Sequence, residues 1–368
     1  MRILHIDTER TWRGGENQLR LLLEGLATTD AECHLAVPPD SSAAARLGRL
    51  AQLVTVPMHG GFSPRAAWTL ARYCQMHRIE LIDTHSGNAH ALALLIKGLV
   101  PRLRLVVHRR VDYAPSANWF SRRKYLSSKV DRFVAISAAI GAILVDYGVP
   151  AARVSVVKSS IRTDGYDDKA RPAAHAALAT TYGVDPNLIF IGNASALTAQ
   201  KGYDTLLDAA ALLRQSGAPF HLFIAGDGEL RQSLLKQCAR LNLEDKTTFL
   251  GFIDDVPRFL AGLDILSVPS KFEGLGTILL DGLAAGLAIA ASQVGGIPEV
   301  VIHGETGLLS TVGDAAGHAA NLLQLIRQPQ LRQRLNTAGR QHIAAEFSLA
   351  AMVGGNLDVY RELLGATS

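Results

Sequence analysis

The sequence predicts an α/β protein built from two Rossmann-like, doubly wound parallel-sheet domains. Apolar runs rich in β-branched residues alternate with segments of helical spacing along the chain, which is typical of parallel sheets. A strand, a glycine turn and a helix open the first half at RILHID and RGGENQ, and the second half repeats this order. The length of 368 residues suits two domains, each with an ample core.

The first half carries strand-like runs that are separated by helical stretches. In such a sheet, ligands bind at the carboxyl ends of the strands. The predicted strands are RILHID (2–7), AECHLAVP (31–38), LVTVP (53–57), ELIDTH (80–85), RLRLVVH (102–108), DRFVAIS (131–137) and RVSVVKSS (153–160), with helices at LRLLLEGLA, 64–77 and 88–98.

The second half follows a polar linker, rich in Pro, Gly and Ala, and a helix within 161–186. Its predicted strands are NLIFIGNAS (187–195), PFHLFIAG (219–226), KTTFLGFIDD (246–255, running into a loop), GLDILSVPS (262–270) and the edge strand GETGLLS (304–310). Residues 315–348 are predicted to be helical, and SLAAMVGGNLDVYRELL is predicted to form a terminal helix. We therefore predict domains at 1–163 and 164–346, followed by a C-terminal helix in 347–368.

The composition is that of a soluble globular protein, with 48% apolar and 19% charged residues. No apolar run is long and unbroken enough to span a bilayer, and MRILHI reads as a strand rather than as a signal peptide. Cys33, Cys74 and Cys238 are scattered and lack CxxC spacing. This pattern argues against a disulfide framework or a zinc site and favours the reducing cytoplasm.

The charge is distributed unevenly between the two halves. Residues 1–163 carry 22 Lys+Arg and 12 Asp+Glu, a net of +10, whereas residues 164–368 carry 15 and 21, a net of −6. Nine basic and two acidic residues fall within 101–132. The asymmetry suggests that the first half meets an anionic partner, and solvated surface charge is the alternative.

The stretch SKFEGLGTILLDGLAAGLAIAASQVGGIPE (270–299) has the features of a nucleotide-diphosphate cradle. Gly274 and Gly276 let the backbone approach a phosphate closely. The helix predicted to start at Thr277 offers unpaired N–H groups and the positive end of its dipole. Further glycine turns occur at Gly295-Gly296 and at Gly226 and Gly228.

Two carboxylates, Glu273 and Asp281, flank this cradle at a spacing of eight residues. They would repel a phosphate, so they suit the hydroxyls of a sugar and a ribose on either side of it. The alternative is a pair of acids that only stabilises the helix N-terminus.

Polar residues also follow the predicted strand ends of the first half. A histidine in the position of His85 or His108 can act as a base, donate to a sugar, or be a satisfied core histidine. Arg109, Arg110 and Asp112 are candidates for binding an acceptor, and a solvated loop is the alternative. Gly14 and Gly15 would sit over a diphosphate or an acceptor, with Glu16 and Asn17 at the helix start, where a plain helix N-terminus is the alternative.

The segment SANWFSRRKYL interleaves aromatic and basic residues. Trp119 and Phe120 are candidates for contact with lipid headgroups, and the basic residues for contact with phosphates. Nucleic acid is not expected as a partner, because the basic-aromatic motif of a known reader is missing. The basic residues are Arg122, Arg123 and Lys124.

Six motifs form one pattern that runs nearly from end to end: RGGENQ (13–18), ASALTAQKGYDTLL (194–207), IAGDGELRQSL (224–234), FLGFIDDV (249–256), EGLGTILLD (273–281) and AASQVGGIPEVV (290–301). In these motifs the chain resembles the family 4 glycosyltransferases of the GT-B fold, of the bacterial envelope-glycan type. The resemblance implies two domains that face each other across a cleft and a C-terminal helix that packs back toward the first domain. The family's signature of two glutamates appears here as Glu273 and Asp281, whose side chain is one methylene shorter.

The resemblance also implies roles for single residues. Glu273 matches the acid that holds the donor sugar, Asp281 matches the acid on the ribose, and Lys201 matches the lysine that neutralises the leaving diphosphate. The family's arginine five residues before that lysine is Ala196 here. His85 lies near the first-domain histidine that faces the donor sugar. The other predicted donor-binding residues are Gly14, Gly15, Gly226, Gly228, Phe252 and Ile253 at the base-contacting loop, and Gly274, Leu275, Gly276 and Thr277 at the diphosphate.

The resemblance implies a transfer that retains the anomeric configuration. No carboxylate pair with metal-ligand spacing is evident, so we expect neither a metal nor another cofactor. Lys201 and the amides around Gly276 supply the charge that a leaving diphosphate needs. A UDP-sugar is the expected donor, and an anionic glycan, glycolipid or lipopolysaccharide-like molecule is the expected acceptor. The basic first half favours a peripheral position on the cytoplasmic face of the inner membrane.

Two other functions remain open for this sequence. A sugar-nucleotide epimerase or a phosphorylase on the same fold would need further acid and base groups or a phosphate pocket, neither of which is evident. A non-catalytic module that binds sugar nucleotides would not need both Glu273 and Lys201.

Overall fold

The structure is a computed structural model that describes residues 1–12, 14–58 and 60–365, without the side chain of Asp168. Arg13 of the RGGENQ motif lies outside the described residues. The chain divides into two compact units, one made of Met1–Ser160 with Leu349–Ser368 and the other of Ile161–Ser348. The boundary between the units therefore falls three residues before the predicted one.

The described residues of the first unit form a seven-stranded parallel sheet. Its strands are β1 (Arg2–Ile6), β2 (Glu32–Val37), β3 (Gln52–Thr55), β4 (Leu81–Thr84), β5 (Arg104–Arg109), β6 (Arg132–Ala135) and β7 (Val154–Val156), in the order β3-β2-β1-β4-β5-β6-β7. Its first helices are α1 (Gly14–Leu26), α2 (Ser42–Leu47), α3 (Pro64–Met76), α4 (Gly87–Leu99), α5 (Trp119–Tyr125) and α6 (Ala138–Asp146).

The second unit forms a six-stranded parallel sheet within its described residues. Its strands are β8 (Ile189–Ala194), β9 (Phe220–Ala225), β10 (Thr247–Gly251), β11 (Ile265–Val268), β12 (Ala288–Ser292) and β13 (Leu308–Ser310), in the order β10-β9-β8-β11-β12-β13. Its helices are α7 (Arg171–Tyr182), α8 (Tyr203–Gln215), α9 (Arg231–Arg240), α10 (Val256–Ala261), α11 (Thr277–Ala284), α12 (Ile297–Val300), α13 (Ala315–Arg327) and α14 (Pro329–Glu346). The predicted α/β class with parallel sheets is confirmed.

The central strands are buried on both faces, as expected for a sheet covered by helices on each side. All residues of β4 and of β9 are buried. Strand order reverses between β1 and β4 in the first unit and between β8 and β11 in the second. In doubly wound sheets, a crevice opens at the carboxyl ends of the strands where the order reverses, so these two points are where ligands are expected.

The last helix, α15 (Leu349–Leu364), belongs to the first unit. Its apolar side chains join those of α1 and the sheet in one core, with Tyr360 fully buried. The two helices approach so closely that a Cβ on Gly25 would lie 2.2 Å from Cγ2 of Val353. Any larger residue at that position of α1 would require Val353 or the helix that carries it to shift.

The predicted helical stretch 315–348 is two helices, because Pro329 cannot continue α13 and instead starts α14. In the described part of the chain, no helix is both long and apolar enough to cross a membrane.

Candidate functional site

The loop that carries Lys201 is pressed against the end of β11 at the reversal point of the second sheet. Gly202 has φ +67°, and a Cβ there would lie 2.0 Å from the carbonyl oxygen of Pro269. The carbonyl of Gln200 also accepts a hydrogen bond from the backbone N–H of Lys271 at 2.7 Å. Glycine at position 202 therefore lets the loop that follows β8 contact the loop that follows β11.

This approach brings Lys201 and Glu273 together. Nζ of Lys201 donates to Oε2 of Glu273 at 2.6 Å, and the two side chains are 17% and 13% exposed. Oγ of Ser270 donates to the same oxygen at 3.2 Å. The carboxylate is held by a cation and a hydroxyl at the edge where a ligand is expected.

The predicted glycine cradle is formed by two turns in direct contact. Gly276 has φ +83° and precedes the first turn of α11, and a Cβ there would lie 3.2 Å from Cγ of Glu273. The backbone N–H of Gly296 donates to the carbonyl of Glu273 at 3.0 Å, and a Cβ on Gly296 would lie 2.2 Å from the oxygen of Gly274. Side chains at these glycines would separate the turns and close the approach to the helix N-terminus.

A third glycine turn follows β9. A Cβ on Gly226, which has φ +129°, would lie 2.0 Å from the carbonyl oxygen of Ser195, and one on Gly228 would lie 2.6 Å from that of Leu197. The turn thus packs against the segment that leads to Lys201. Phe252, which follows β10, is 75% exposed and is free of the core, as a base-contacting residue would need to be.

Asp281 lies on α11 and is bonded to a residue that the sequence analysis does not single out. Its Oδ1 accepts a hydrogen bond of 2.7 Å from the hydroxyl of Tyr166. Burial raises the pKa of Asp281 to about 6, and the hydrogen bond from Tyr166 lowers it only in part.

In the first unit, several predicted residues meet at the ends of β1, β4 and β5. Arg110 donates from NH2 to Nδ1 of His85 at 3.0 Å and from NH1 to the carbonyl of His85 at 3.1 Å. Its Cδ lies 3.7 Å from the position of a Cβ on Gly15. Asp7, at the end of β1, is buried, and this burial together with repulsion from Glu16 raises its pKa to about 6.

A buried network centred on Asp83 lies behind this edge. Oδ2 of Asp83 accepts from Tyr360 at 2.5 Å and from Nε2 of His108 at 3.1 Å, and it lies 3.4 Å from Nδ1 of His5. Nδ1 of His5 in turn lies 3.1 Å from Nε2 of His85. Both ring nitrogens of His85 therefore meet protein atoms, and its contact with a donor sugar stays a prediction.

His5, Asp83 and His85 each place one ligand atom within 4.8 Å of the others, a spacing that a metal ion could bridge. Burial holds the pKa of His85 well below its usual range, so the ring is neutral. Nδ1 of His85 lies 3.0 Å from the Arg110 guanidinium, and its Nε2 lies 3.1 Å from Nδ1 of His5 and 3.4 Å from Oδ2 of Asp83. In the structure these three side chains are joined by hydrogen-bond and charge contacts centred on Asp83.

The network makes stability depend on pH through His5. Burial alone would lower the pKa of His5, but the bond and attraction from Asp83, with a contribution from Cys33, outweigh it and raise the pKa to about 9. The stabilisation is fully present below pH 6.5 and is lost as the pH rises through 9. We expect the free energy of unfolding to fall by about 3 kcal/mol over that range.

Chemical denaturation at pH 6.5 and 9 measures this loss. His5→Gln is expected to reduce the pH slope. His34→Gln is the matched control and should retain it, because burial lowers the pKa of His34. An unchanged slope in His5→Gln would contradict the assignment.

The remaining predicted acceptor residues do not join this edge as one group. The sequence predicts Arg109 and His108 as acceptor contacts, and the structure instead buries both side chains. Arg109 donates to the hydroxyl of Tyr125 at 2.5 Å and to the carbonyl of Tyr113, so its charge is used inside the unit. Two more of the predicted residues bond within the unit: Lys124 donates to the carbonyl of Gly87 at 3.2 Å, and Asn17 accepts from Arg20 at 3.1 Å. Asp112 is partly exposed, and Arg122 and Arg123 are exposed on α5.

Several residues of these sites escape the sequence analysis, among them His5 and Asp7 on and after β1 and the four that follow. Ser270 lies three positions before Glu273, and a hydroxyl at that spacing is a usable signal. Asp83 lies inside a predicted strand, where a carboxylate is unusual enough to mark a polar network. Tyr166 and Tyr360 carry no local signal, because their partners are 115 and 277 positions away.

Two family models match this chain. The model described as Glycosyltransferase Family 4 matches residues 12–164, and the model described as Glycosyl transferases group 1 matches residues 180–342. Together they leave out only residues 1–11, 165–179 and 343–368.

Curated relatives match part of the chain. It is 34% identical over 143 residues to the N-acetyl-alpha-D-glucosaminyl L-malate synthase of Bacillus anthracis, covering 39% of this chain and 38% of that protein. It is 32% identical over 167 residues to the lipopolysaccharide core biosynthesis glycosyltransferase LpsE of Rhizobium meliloti (strain 1021), covering 45% of this chain and 47% of that protein. The matches thus span less than half the length of these two relatives.

Solved structures match the chain nearly end to end. The crystal structure of Anabaena Alr3699/HepE in complex with UDP superposes with a TM-score of 0.86 at 20% identity, covering 98% of this chain and 100% of that one. At this identity, the likeness shows a shared fold.

Proposed function

Because this chain belongs to the family 4 glycosyltransferases of the GT-B fold, we propose that it moves a sugar from a nucleotide-diphosphate donor to an acceptor hydroxyl. The observation that carries the proposal is the 2.6 Å ion pair between Lys201 and Glu273. It lies beside the two interlocked glycine turns at 274–276 and 295–296. A structural ion pair alone would not need glycine turns and a helix N-terminus next to it.

The proposed reaction breaks the bond between the anomeric carbon and a diphosphate oxygen and forms one between that carbon and the acceptor oxygen. The acceptor proton passes to a diphosphate oxygen as the nucleotide diphosphate leaves. Attack from the face of departure retains the anomeric configuration. Lys201 and the backbone amides at the N-terminus of α11 stabilise the charge on the leaving group, while Glu273 holds hydroxyls of the donor sugar.

We propose that a UDP-hexose is the donor and that the transfer uses no metal or other cofactor. A cation and oriented amides supply charge stabilisation of the kind that a metal ion gives in other transferases. The solved relative in complex with UDP supports the choice of base.

The test is a panel of UDP-, GDP- and ADP-sugars with the purified chain, in buffer with and without EDTA. We expect slow hydrolysis of one donor and a rise in Tm with it, both unaffected by EDTA. The enzyme proposal fails if none of these donors is hydrolysed or raises the Tm, and the metal-independent part fails if EDTA abolishes hydrolysis.

Donor binding should depend on pH through Asp281, whose pKa is raised to about 6 by burial. An ionised carboxylate accepts from ribose hydroxyls, and a protonated one loses acceptor capacity. We expect the donor KM to be constant above pH 7 and to rise below pH 6, by up to about tenfold per pH unit.

Initial rates with a UDP-sugar between pH 5 and 8 measure the pH dependence of the donor KM, because the UDP-sugar itself does not titrate in this range. Asp281→Asn should flatten the profile at a raised KM. Asp7→Asn is the control, because the pKa of Asp7 is also raised to about 6 but the residue lies in the other unit. A pH slope that disappears in Asp7→Asn and persists in Asp281→Asn would contradict the assignment.

We further propose an anionic envelope glycan or glycolipid as acceptor, reached at the cytoplasmic face of the inner membrane. Helix α5 supports this, with Trp119 62% and Phe120 77% exposed and two exposed arginines one turn further on. The guanidinium of Arg123 lies 5.3 Å from the ring centre of Trp119. Exposed aromatic rings beside cations suit an anionic lipid surface.

Co-sedimentation with vesicles tests this membrane contact. We expect binding to phosphatidylglycerol vesicles, weak binding to phosphatidylcholine vesicles, and loss of at least half the bound fraction in Trp119→Ala/Phe120→Ala. Trp68→Ala is the matched control, because Trp68 is 56% exposed on α3 of the same unit, with Arg72 at 5.0 Å. Equal losses in both variants would refute a specific role for α5.

A further inference from the structure

The linker between the two sheets supplies the hydrogen-bond partner of Asp281. The hydroxyl of Tyr166 lies 2.7 Å from Oδ1 of Asp281, across 115 positions of sequence. Burial, and then the adjacent carboxylate, raise the pKa of Tyr166 above its usual range, so the phenol stays protonated. The proton therefore points from Tyr166 to Asp281, and the hydroxyl is the donor.

Because the Tyr166 hydroxyl is the donor in this hydrogen bond, its oxygen and the Asp281 carboxylate remain as two neighbouring acceptors. A donating hydroxyl keeps its oxygen lone pairs, and the carboxylate keeps its second oxygen. Within residues 1–12, 14–58 and 60–365, Tyr166 is the one side-chain partner of the Asp281 carboxylate. Asp281 and Tyr166 are both partly exposed, so these acceptors face a surface that a ligand can reach.

That surface includes a groove of about 420 Å³, within the size range of small-molecule sites. Tyr166 lines it together with Asp255 and Arg258, and Asp255 lies two positions after Ile253 of the predicted base-contacting loop. Ala285, the C-cap residue of α11, lines it one turn after Asp281. The groove thus borders the C-terminal end of α11, one turn beyond the carboxylate, and includes its partner Tyr166.

Two neighbouring acceptors match two neighbouring hydroxyl donors, as in the vicinal diol of a ribose. A carboxylate without such a neighbour can accept from the one remaining hydroxyl of a deoxyribose as it does from a hydroxyl of a ribose, so it distinguishes the two sugars less. We infer that Tyr166 and Asp281 form one diol-recognition pair, in which Tyr166 is a specificity-determining residue for ribonucleoside diphosphates over their deoxy analogues. This inference rests on the proposed function, since it requires a nucleotide at Asp281.

Calorimetric titration of the full chain with UDP, 2′-deoxy-UDP and 3′-deoxy-UDP tests the inference. The wild type is expected to bind UDP five- to tenfold more tightly than the deoxy analogue that lacks the hydroxyl facing Tyr166. Tyr166→Phe should weaken UDP by a similar factor and leave the affinity for that analogue unchanged. A merely structural role of Tyr166 would weaken all three nucleotides alike.

Tyr182→Phe is the matched control, because its ring is 42% exposed on α7, the helix that follows the linker. It should leave all three affinities unchanged. Equal weakening of all three ligands in Tyr166→Phe, no weakening of any, or tighter binding of all would each overturn the inference while leaving the proposed function intact. If the wild type binds UDP, GDP and ADP not at all, the proposed function falls and the inference falls with it.

Discussion

Glu273→Gln is expected to lower kcat by about a thousandfold while the protein stays folded. The amide keeps the size of the carboxylate but loses the charge that Lys201 contacts at 2.6 Å. It also places an N–H₂ group where the donor sugar needs an acceptor. Both changes act at the proposed donor site, so a saturating donor concentration is not expected to restore kcat.

Initial rates and the Tm of the variant separate this effect from unfolding. Glu305→Gln is the matched control, because Glu305 is exposed and lies in a turn of the same unit; it should keep wild-type rates. Wild-type kcat in Glu273→Gln would remove Glu273 from the catalytic site and would leave the ion pair as a structural feature.

Lys201→Met is expected to lower kcat by about a hundredfold or more. The methionine keeps much of the length of the lysine but supplies no charge to a leaving diphosphate. It also leaves Glu273 with Ser270 as its partner, at 3.2 Å. The position five residues earlier, where relatives are expected to carry arginine, is the exposed Ala196, so this chain cannot draw on that second cation.

Lys271→Met is the matched control for Lys201→Met. Lys271 lies beside the site and pairs with Asp204 at 2.6 Å, in an ion pair as short as that of Lys201. Its loss should change kcat less than threefold. Equal losses in the two variants would show that the local charge, and not Lys201 in particular, supports the reaction.

The double variant Glu273→Gln/Lys201→Met should lose much less than the product of the single effects, since the two side chains act as one unit. Independent losses would indicate that the contact between them is incidental to the reaction.

The sequence predicts the second unit better than the first, and the physical reason is local. In residues 270–299 the chemistry depends on glycines, a helix start and acids that are near one another along the chain. The structure keeps that order, because Gly276 precedes α11, and Gly296, which follows β12, contacts Gly274. Helix starts and glycine turns are set by backbone conformation within a few residues, so the sequence can predict them.

The first unit shows what such patterns cannot decide. His85, His108, Arg109 and Arg110 all follow strands, and in sequence they look alike as candidates for an exposed edge. Asp83 draws His108 inward, Tyr125 and Tyr113 take Arg109, and Arg110 holds His85. These choices depend on which side chains pack around a strand end, and one of them, Tyr360 of α15, lies 277 positions from its partner Asp83.

The sequence by itself determined the α/β class, the parallel sheets, the linker and the glycine cradle with its two acids, because each follows from short-range periodicity and backbone freedom. Only the tertiary structure decided which groups share a proton or a charge. It paired Lys201 with Glu273 through the close approach at Gly202, placed Tyr166 on Asp281, and enclosed His85 with Asp83 under Tyr360. Hydrogen bonds and ion pairs act over a few ångströms in space, whatever the separation along the chain, so their partners emerge only when the sheets and helices are packed.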